Sequence, residues 1–180
     1  MKLVIASDIH GSAFWCGKLL ETIEEVNPDK VILLGDLLYH GPRNDLPREY
    51  APKQVIPMLS QYADKILAVR GNCEAEVDQM VLDLRVLEDY KTFEFGDKKA
   101  VLTHGHLDSD RLPNMKDFDI LLNGHTHIPK CEQKEGYIFM NPGSVSIPKE
   151  NSPHSYMVFE NNEFLWKNLE NGEVYNTKNL

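Results

Sequence analysis

Short apolar runs without polar alternation punctuate the chain. Val31-Ile-Leu-Leu is the clearest, running into Gly35 and then Asp36. Such a run fits a strand buried on both faces of a sheet, with the carboxylate at its C-terminal end, where open sheets place their chemistry. Four further stretches have the same shape: Leu3-Val-Ile-Ala-Ser-Asp8-Ile-His10, Ile66-Leu-Ala-Val-Arg-Gly-Asn72, Ala100-Val-Leu-Thr-His104-Gly-His106 and Ile120-Leu-Leu-Asn-Gly-His125-Thr-His127. Each delivers Asp, Asn or His to a loop beside a glycine.

The same pattern predicts the remaining elements. Strands are expected over 3–7, 31–35 and 65–69. Leu19, Leu20, Ile23 and Val26 recur at helical spacing after Ser12, a candidate cap, and Asn27-Pro28-Asp29 stops that helix. The opening is therefore β-α-β, a parallel pair with a right-handed crossover. Residues 40–52 hold three prolines and read as a long functional loop. A helix follows over 53–61 with Val55, Ile56 and Leu59 inward. Val77, Met80, Val81 and Leu84 mark a third short helix. Later the texture turns to strands: 92–95 and 100–103 about Gly96-Asp97-Lys98, then 119–122, 137–140, 156–160 and 163–166. No composition break divides the chain. The expectation is one α/β domain over 1–180, two sheets packed face to face with helices outside.

Composition narrows the function. With 180 residues the chain is long enough for one substantial core. A net charge of −9 argues against broad binding to nucleic acid, which needs a basic surface. It leaves room for a small phosphate substrate held by metal. No apolar run is long enough to span a bilayer, and the first meets Asp8 and His10 at once, unlike a signal peptide. Cys16, Cys73 and Cys131 are odd in number and widely spaced, which reads as reduced thiols in a cytoplasmic protein.

The chemistry lies in the five loop stretches. Asp, His and Asn together suit borderline-hard divalent metals. Asp8-Ile-His10, Gly35-Asp36, Gly71-Asn72, His104-Gly105 and Gly124-His125-Thr126-His127 together resemble the calcineurin-like metallophosphoesterase superfamily, with the motifs in that family's order. The short chain, Gly71-Asn72-Cys73-Glu74 and Asn141-Pro142-Gly143-Ser144 are similar to its small YfcE-type phosphodiesterases. The resemblance implies a four-layer α/β/β/α sandwich, a small phosphodiester substrate and two divalent ions, usually manganese. It implies one ion on Asp8, His10, Asp36 and His127, and the second on Asp36, Asn72, His104 and His125, with Asp36 as the bridge. Asp36, Asn72 and His104 would then serve catalysis, through a water activated between the ions. In many relatives a histidine stands where Cys73 is and is thought to protonate the leaving oxygen.

Other polar residues keep two readings each. Arg70 would neutralise phosphate or pair with an acid. His106 would touch substrate, support the ligands from behind, or be structural. His40 and Arg43, in the proline-rich loop, are further candidate substrate contacts, as is Cys73. His154 reads as surface, Trp15 as packing or site wall, Trp166 as core or oligomer contact, and Cys16 and Cys131 as small buried apolar groups. Self-association into a homo-oligomer is left open. Two rival functions stand beside the phosphodiesterase: a phosphomonoesterase or protein phosphatase, and a non-catalytic scaffold, since a retromer subunit uses this fold for protein interaction. The scaffold reading is opposed by a ligand set with every position filled.

Overall fold

The computed structural model describes residues 1–180. Its first sheet has six strands in the order β11-β10-β9-β1-β2-β3. The strands are β1 (Leu3–Ala6), β2 (Lys30–Leu33), β3 (Ile66–Ala68), β9 (Ser155–Glu160), β10 (Glu163–Asn168) and β11 (Val174–Asn179). β1, β2 and β3 run parallel, and β9 returns antiparallel to β1. The second sheet has the order β4-β5-β6-β8-β7, from Tyr90–Phe95, Lys98–Thr103, Ile120–Leu122, Ile138–Asn141 and Lys130–Gln133 respectively.

The apolar runs explain the layering. In β1, Leu3 and Ile5 face one way and Val4 and Ala6 the other, and all four are fully buried. Leu3 and Ile5 join Ile32, Phe95, Leu102, Ile120 and Trp166 in a core between the sheets. Val4 and Ala6 join Leu19, Ile23, Val55 and Leu59 in a second core beneath the helices. Those helices are α1 (Ala13–Val26) and α2 (Pro52–Ser60). Ser12 caps α1 by accepting from Trp15 N–H at 3.2 Å, and Asn27 ends it in the left-handed conformation. On the far side the β5–β6 crossover carries two 3-10 turns, Ser109–Arg111 and Met115–Asp117. The sandwich is therefore as expected, with a thin fourth layer. No helix is long and apolar enough to cross a membrane.

Several expectations need correction. α3 (Glu76–Val81) exists, but Val77, Met80 and Val81 are exposed, and the buried Leu84 lies beyond its end. Its apolar spacing thus marks no core face. His154 is not a free surface residue: its ring stacks on Trp15 at 3.5 Å and its Nδ1–H donates to Val145 O. Cys131 is only half-buried, whereas Cys16 is fully buried and burial pushes its thiol up to about 12. Trp166 is core, with its indole N–H donating to Asn141 O at 2.7 Å. β7 and β11 went unforeseen, because Lys-Cys-Glu-Gln and Val-Tyr-Asn-Thr-Lys-Asn carry no apolar alternation.

Candidate metal centre

The C-terminal ends of β1, β2, β3, β5 and β6 bring Asp8, His10, Asp36, Asn72, His104, His125 and His127 to one place at the mouth of the sandwich. Five of these seven residues have φ between +49° and +67°: Asp8, His10, Asp36, His125 and His127. Left-handed backbone is uncommon in residues other than glycine and concentrates where a site requires it. Here it turns each loop back on itself. Asp8 and His10, whose side chains would run parallel and apart along an extended strand, meet at 3.5 Å, whereas His125 and His127 reach different neighbours, His104 and Asp8.

Two clusters result. His127 Nε2 lies 3.2 Å from Asp8 Oδ1 and 3.2 Å from His10 Nε2, and His10 Nε2 lies 3.5 Å from Asp8 Oδ1. On the other side, His104 Nε2 lies 3.1 Å from Asn72 Oδ1 and 3.2 Å from His125 Nδ1. Asp36 Oδ2 sits between them, 3.7 Å from His10 Nε2 and 3.4 Å from His104 Nε2. Donor atoms bound at about 2.1 Å to one ion stand about 3.0–3.4 Å apart in octahedral or tetrahedral arrangements. Five of the seven distances fall in that range, and the two longer ones, 3.5 and 3.7 Å, both involve His10 Nε2.

The hydrogen bonds behind the ligands fix which ring nitrogen faces in. The Nδ1–H groups of His10, His104 and His127 donate to the carbonyls of Tyr39 (2.7 Å), Leu34 (2.6 Å) and Ile147 (2.6 Å). A carbonyl only accepts, so Nδ1 carries the proton of each neutral ring and Nε2 is the nitrogen left for a metal or a second proton. The His10 and His127 lone pairs then face each other, which is repulsive unless a cation or a proton intervenes. Asp8 gives the same signal. Its Oδ2 accepts from His125 N–H at 3.1 Å, whereas the buried Oδ1 has no hydrogen-bond partner. Orphaned buried oxygens are rare in proteins and point here to an ion. The residues present fit a divalent pair.

The ligand loops are themselves braced. Glu74, the last residue of the Gly71-Asn72-Cys73-Glu74 motif, is buried and accepts from the backbone N–H groups of Asp36 (2.9 Å), Leu37 (2.7 Å) and Gly71. Burial and the Asp36 charge push its carboxyl up to about 7, while these three donors pull the other way. A Cβ at position 71 would collide with Asp36 Oδ1, so only glycine lets this loop approach. Ser144 and Ser146 hydroxyls both donate to Asp8 O at 3.0 Å, and Asn141 Nδ2 donates to Gly124 O at 2.7 Å. The 141–146 turn thus braces the site from below.

Substrate candidates divide by place. Arg43 lines a cavity of about 310 Å³ over the metal cluster, together with Asp36, Asn44, Asn72, His125, Thr126, His127 and Lys149. Arg70 and His106 line a neighbouring cavity of about 280 Å³ with Asn72 and Arg111. The His40 ring packs between Tyr39 and Tyr50, outside both cavities. Cys73 is half-buried beside Asp36, and its N–H donates to Asp36 Oδ1 at 2.9 Å. Burial and the Asp36 charge push its thiol far up, so it stays neutral.

Residues 1–163 match the calcineurin-like phosphoesterase superfamily domain. The chain belongs to the calcineurin-like phosphoesterase superfamily. It is 44% identical to phosphodiesterase YfcE of Escherichia coli K12 over 162 residues, which is 89% of this chain and 88% of YfcE. The solved structure of the E. coli phosphoesterase Yfce superposes with a TM-score of 0.92 at 41% identity, covering 99% of this chain and 98% of that one. A probable metallophosphoesterase of Bacillus subtilis, YsnB, is 27% identical over 88% of this chain and 83% of its own length. Vps29 of Entamoeba histolytica shares the fold alone, with a TM-score of 0.65 at 22% identity over 100% of this chain and 99% of Vps29. Calcineurin-like phosphoesterases are metal hydrolases, and the geometry above supplies ligands of the type they need.

Protons and metal compete for these ligands. Burial opposes a charge on His104, yet Asp36 and Asp8 outweigh it and push its pKa up to about 9. His10 is also raised, against its own burial, by Asp8. Without metal, His104 therefore holds a proton at neutral pH, and binding must displace it. Metal affinity is expected to rise with pH up to about 9 and to fall about tenfold per unit below it for each proton displaced. Manganese titrations in two buffers of different ionisation heat measure the proton release; pH-independent affinity between 6 and 8 would contradict it.

Proposed function

We propose that this protein is a metal-dependent phosphodiesterase of the reducing cytoplasm. It cleaves small phosphodiesters by direct attack of water, with Asp8, His10, Asp36 and His127 holding one ion and Asp36, Asn72, His104 and His125 the other. One observation carries the reading: an orphaned Asp8 oxygen surrounded by inward-facing histidine lone pairs at ligand spacing. Two divalent ions there, most simply manganese, supply Lewis-acid polarisation of water and of the phosphate.

The chain's own residues do the rest. Asp36 presents one carboxylate oxygen to both clusters while Cys73 N–H holds the other. Asp8, His10 and His127 are buried, whereas Asn72 is exposed and His125 half-buried, so substrate enters over the second cluster. The water oxygen forms a bond to phosphorus, the P–O bond to the leaving alcohol breaks, and that oxygen departs with the electron pair and takes a proton. The products are a phosphomonoester and an alcohol.

The proton source is the weak point of the site. Position 73 offers a neutral thiol, a poor donor. Burial and the neighbouring His104 lower the His106 pKa. General acid help is typically worth about 10²–10⁴-fold where the leaving oxygen is basic. The enzyme is therefore expected to favour aryl diesters over alkyl monoesters. With bis(4-nitrophenyl) phosphate and glycerol phosphate as substrates, Cys73→His is expected to raise monoesterase activity by about tenfold or more. Cys73→Ala is expected to keep diesterase activity within about threefold, since it removes packing and a weak contact in which Sγ accepts from Asn72 Nδ2 at 3.3 Å. A large diesterase loss in Cys73→Ala with the metals still bound would contradict this.

A further inference from the structure

The cavity over the metal cluster has a lining that phosphate chemistry at the ions does not explain. None of its eight residues is apolar. Its flat groups are the His125 and His127 rings, which are ligand candidates, and the Arg43 guanidinium. It does hold two cations, Arg43 and Lys149, and neither lies within ion-pair distance of any carboxylate. What sets these two apart is their place, beside the metal ligands Asp36, Asn72, His125 and His127 in one cavity.

Both cations are delivered by loops tied to ligands of the first cluster. His127 Nδ1–H donates to Ile147 O, and Lys149 N–H donates back to His127 O at 3.3 Å. Ser152 closes the turn with its N–H and hydroxyl on Lys149 O. Glu150 and Asn151 adopt left-handed backbone, which shapes the turn that carries Lys149. On the other side, His10 Nδ1–H donates to Tyr39 O. Asn44 N–H donates to Gly41 O and Asn44 Nδ2 donates to His40 O, which forms the turn carrying Arg43. The bonds that orient His10 and His127 thus also place the two cations.

We propose that Arg43 and Lys149 form a subsite for a second anionic group, so that the substrate is a phosphodiester whose retained arm bears a carboxylate or a further phosphate. This rests on the phosphodiesterase reading and deepens it. The divalent ions neutralise the single charge of the scissile diester. Two further unpaired cations in the same small, wholly polar cavity match a second charge instead. At about 310 Å³ the cavity is at the small end of ligand pockets and suits a short polar arm.

The test uses the full chain loaded with manganese and three 4-nitrophenyl phosphodiesters. Their retained arms are methyl, 2-carboxyethyl and 2-phosphoethyl, so the leaving group is constant. KM is expected to be about tenfold lower for the charged arms than for methyl, at similar kcat, and added salt should shrink the ratio. The carboxyethyl and phosphoethyl arms tell a carboxylate from a phosphate preference. In Lys149→Gln and Arg43→Gln the charged-to-methyl ratio is expected to collapse toward one, and Lys149→Arg should restore it. Equal KM for all three diesters in the unaltered enzyme would overturn the subsite alone. So would a KM rise in Lys149→Gln that is the same for every arm, since the lysine would then serve the scissile phosphate. No turnover of the methyl diester with any divalent metal would overturn the phosphodiesterase reading, and the subsite with it.

Discussion

Replacing Asp36 with asparagine is expected to lower kcat/KM for a phosphodiester by about 10³-fold or more, while the protein stays folded. The reason lies in its two oxygens. Oδ1 accepts from Cys73 N–H, and Oδ2 stands 3.7 Å from His10 Nε2 and 3.4 Å from His104 Nε2, between the clusters. An asparagine that keeps its carbonyl on Cys73 N–H must turn its NH₂ toward the ions. One that turns its carbonyl inward sets NH₂ against N–H. Either way a negative charge shared by two cations is gone, and a factor of about 10³ corresponds to about 4 kcal/mol of transition-state stabilisation. The fold should persist, because Asp36 follows β2 rather than lying in either apolar core, and Glu74 continues to hold its backbone N–H. Circular dichroism and steady-state kinetics on the same preparation check both halves. Turnover within tenfold of the unaltered enzyme would remove Asp36 from the centre of the site.

The second large effect concerns metal removal. Chelation is expected to abolish diesterase activity, and divalent metal to restore it. It should also soften the protein. Without ions, Asp8 Oδ1 is a buried carboxylate oxygen with no hydrogen-bond partner, and the Nε2 atoms of His10 and His127 crowd each other at 3.2 Å. Metal that binds only the native state stabilises by about 2.7 kcal/mol at 100 times its dissociation constant. For a chain of this size that is a rise of about 5–10 °C in melting temperature. The rise should grow with metal concentration, and it should shrink as pH falls below about 9, because binding must displace the His104 proton. A melting temperature indifferent to chelator would contradict the fit of these residues to a divalent pair.

Much of the site was legible because metal chemistry restricts both residue type and placement. Asp8, His10, Asp36, Asn72, His104, His125 and His127 each close an apolar run, and strand ends on one side of a sandwich must meet. What the sequence could not display was how Asp8 and His10 meet while His125 and His127 part, since left-handed backbone at these four residues leaves no mark on residue identity. Glu74 was quoted only as part of a motif. Its role depends on three backbone N–H groups from two separate loops, which no local pattern reveals. Lys149 was hidden for a similar reason: its place follows from the fold of 147–152 against His127.

The fold divides in the same manner. Parallel β1, β2 and β3 were readable because strands covered on both faces must be apolar throughout. β7 and β11 stand at sheet edges, pair on one side only and stay largely exposed, so their sequences are free to be polar. α3 failed in the opposite direction. Val77, Met80 and Val81 have helical spacing but no second layer to cover them.

The most direct measurement is metal content per chain, by elemental analysis of protein loaded with manganese and freed of excess. The geometry predicts two ions in the active enzyme and fewer than two in Asp36→Asn, since one carboxylate serves both clusters. An active preparation holding one ion or none would contradict the two-metal centre.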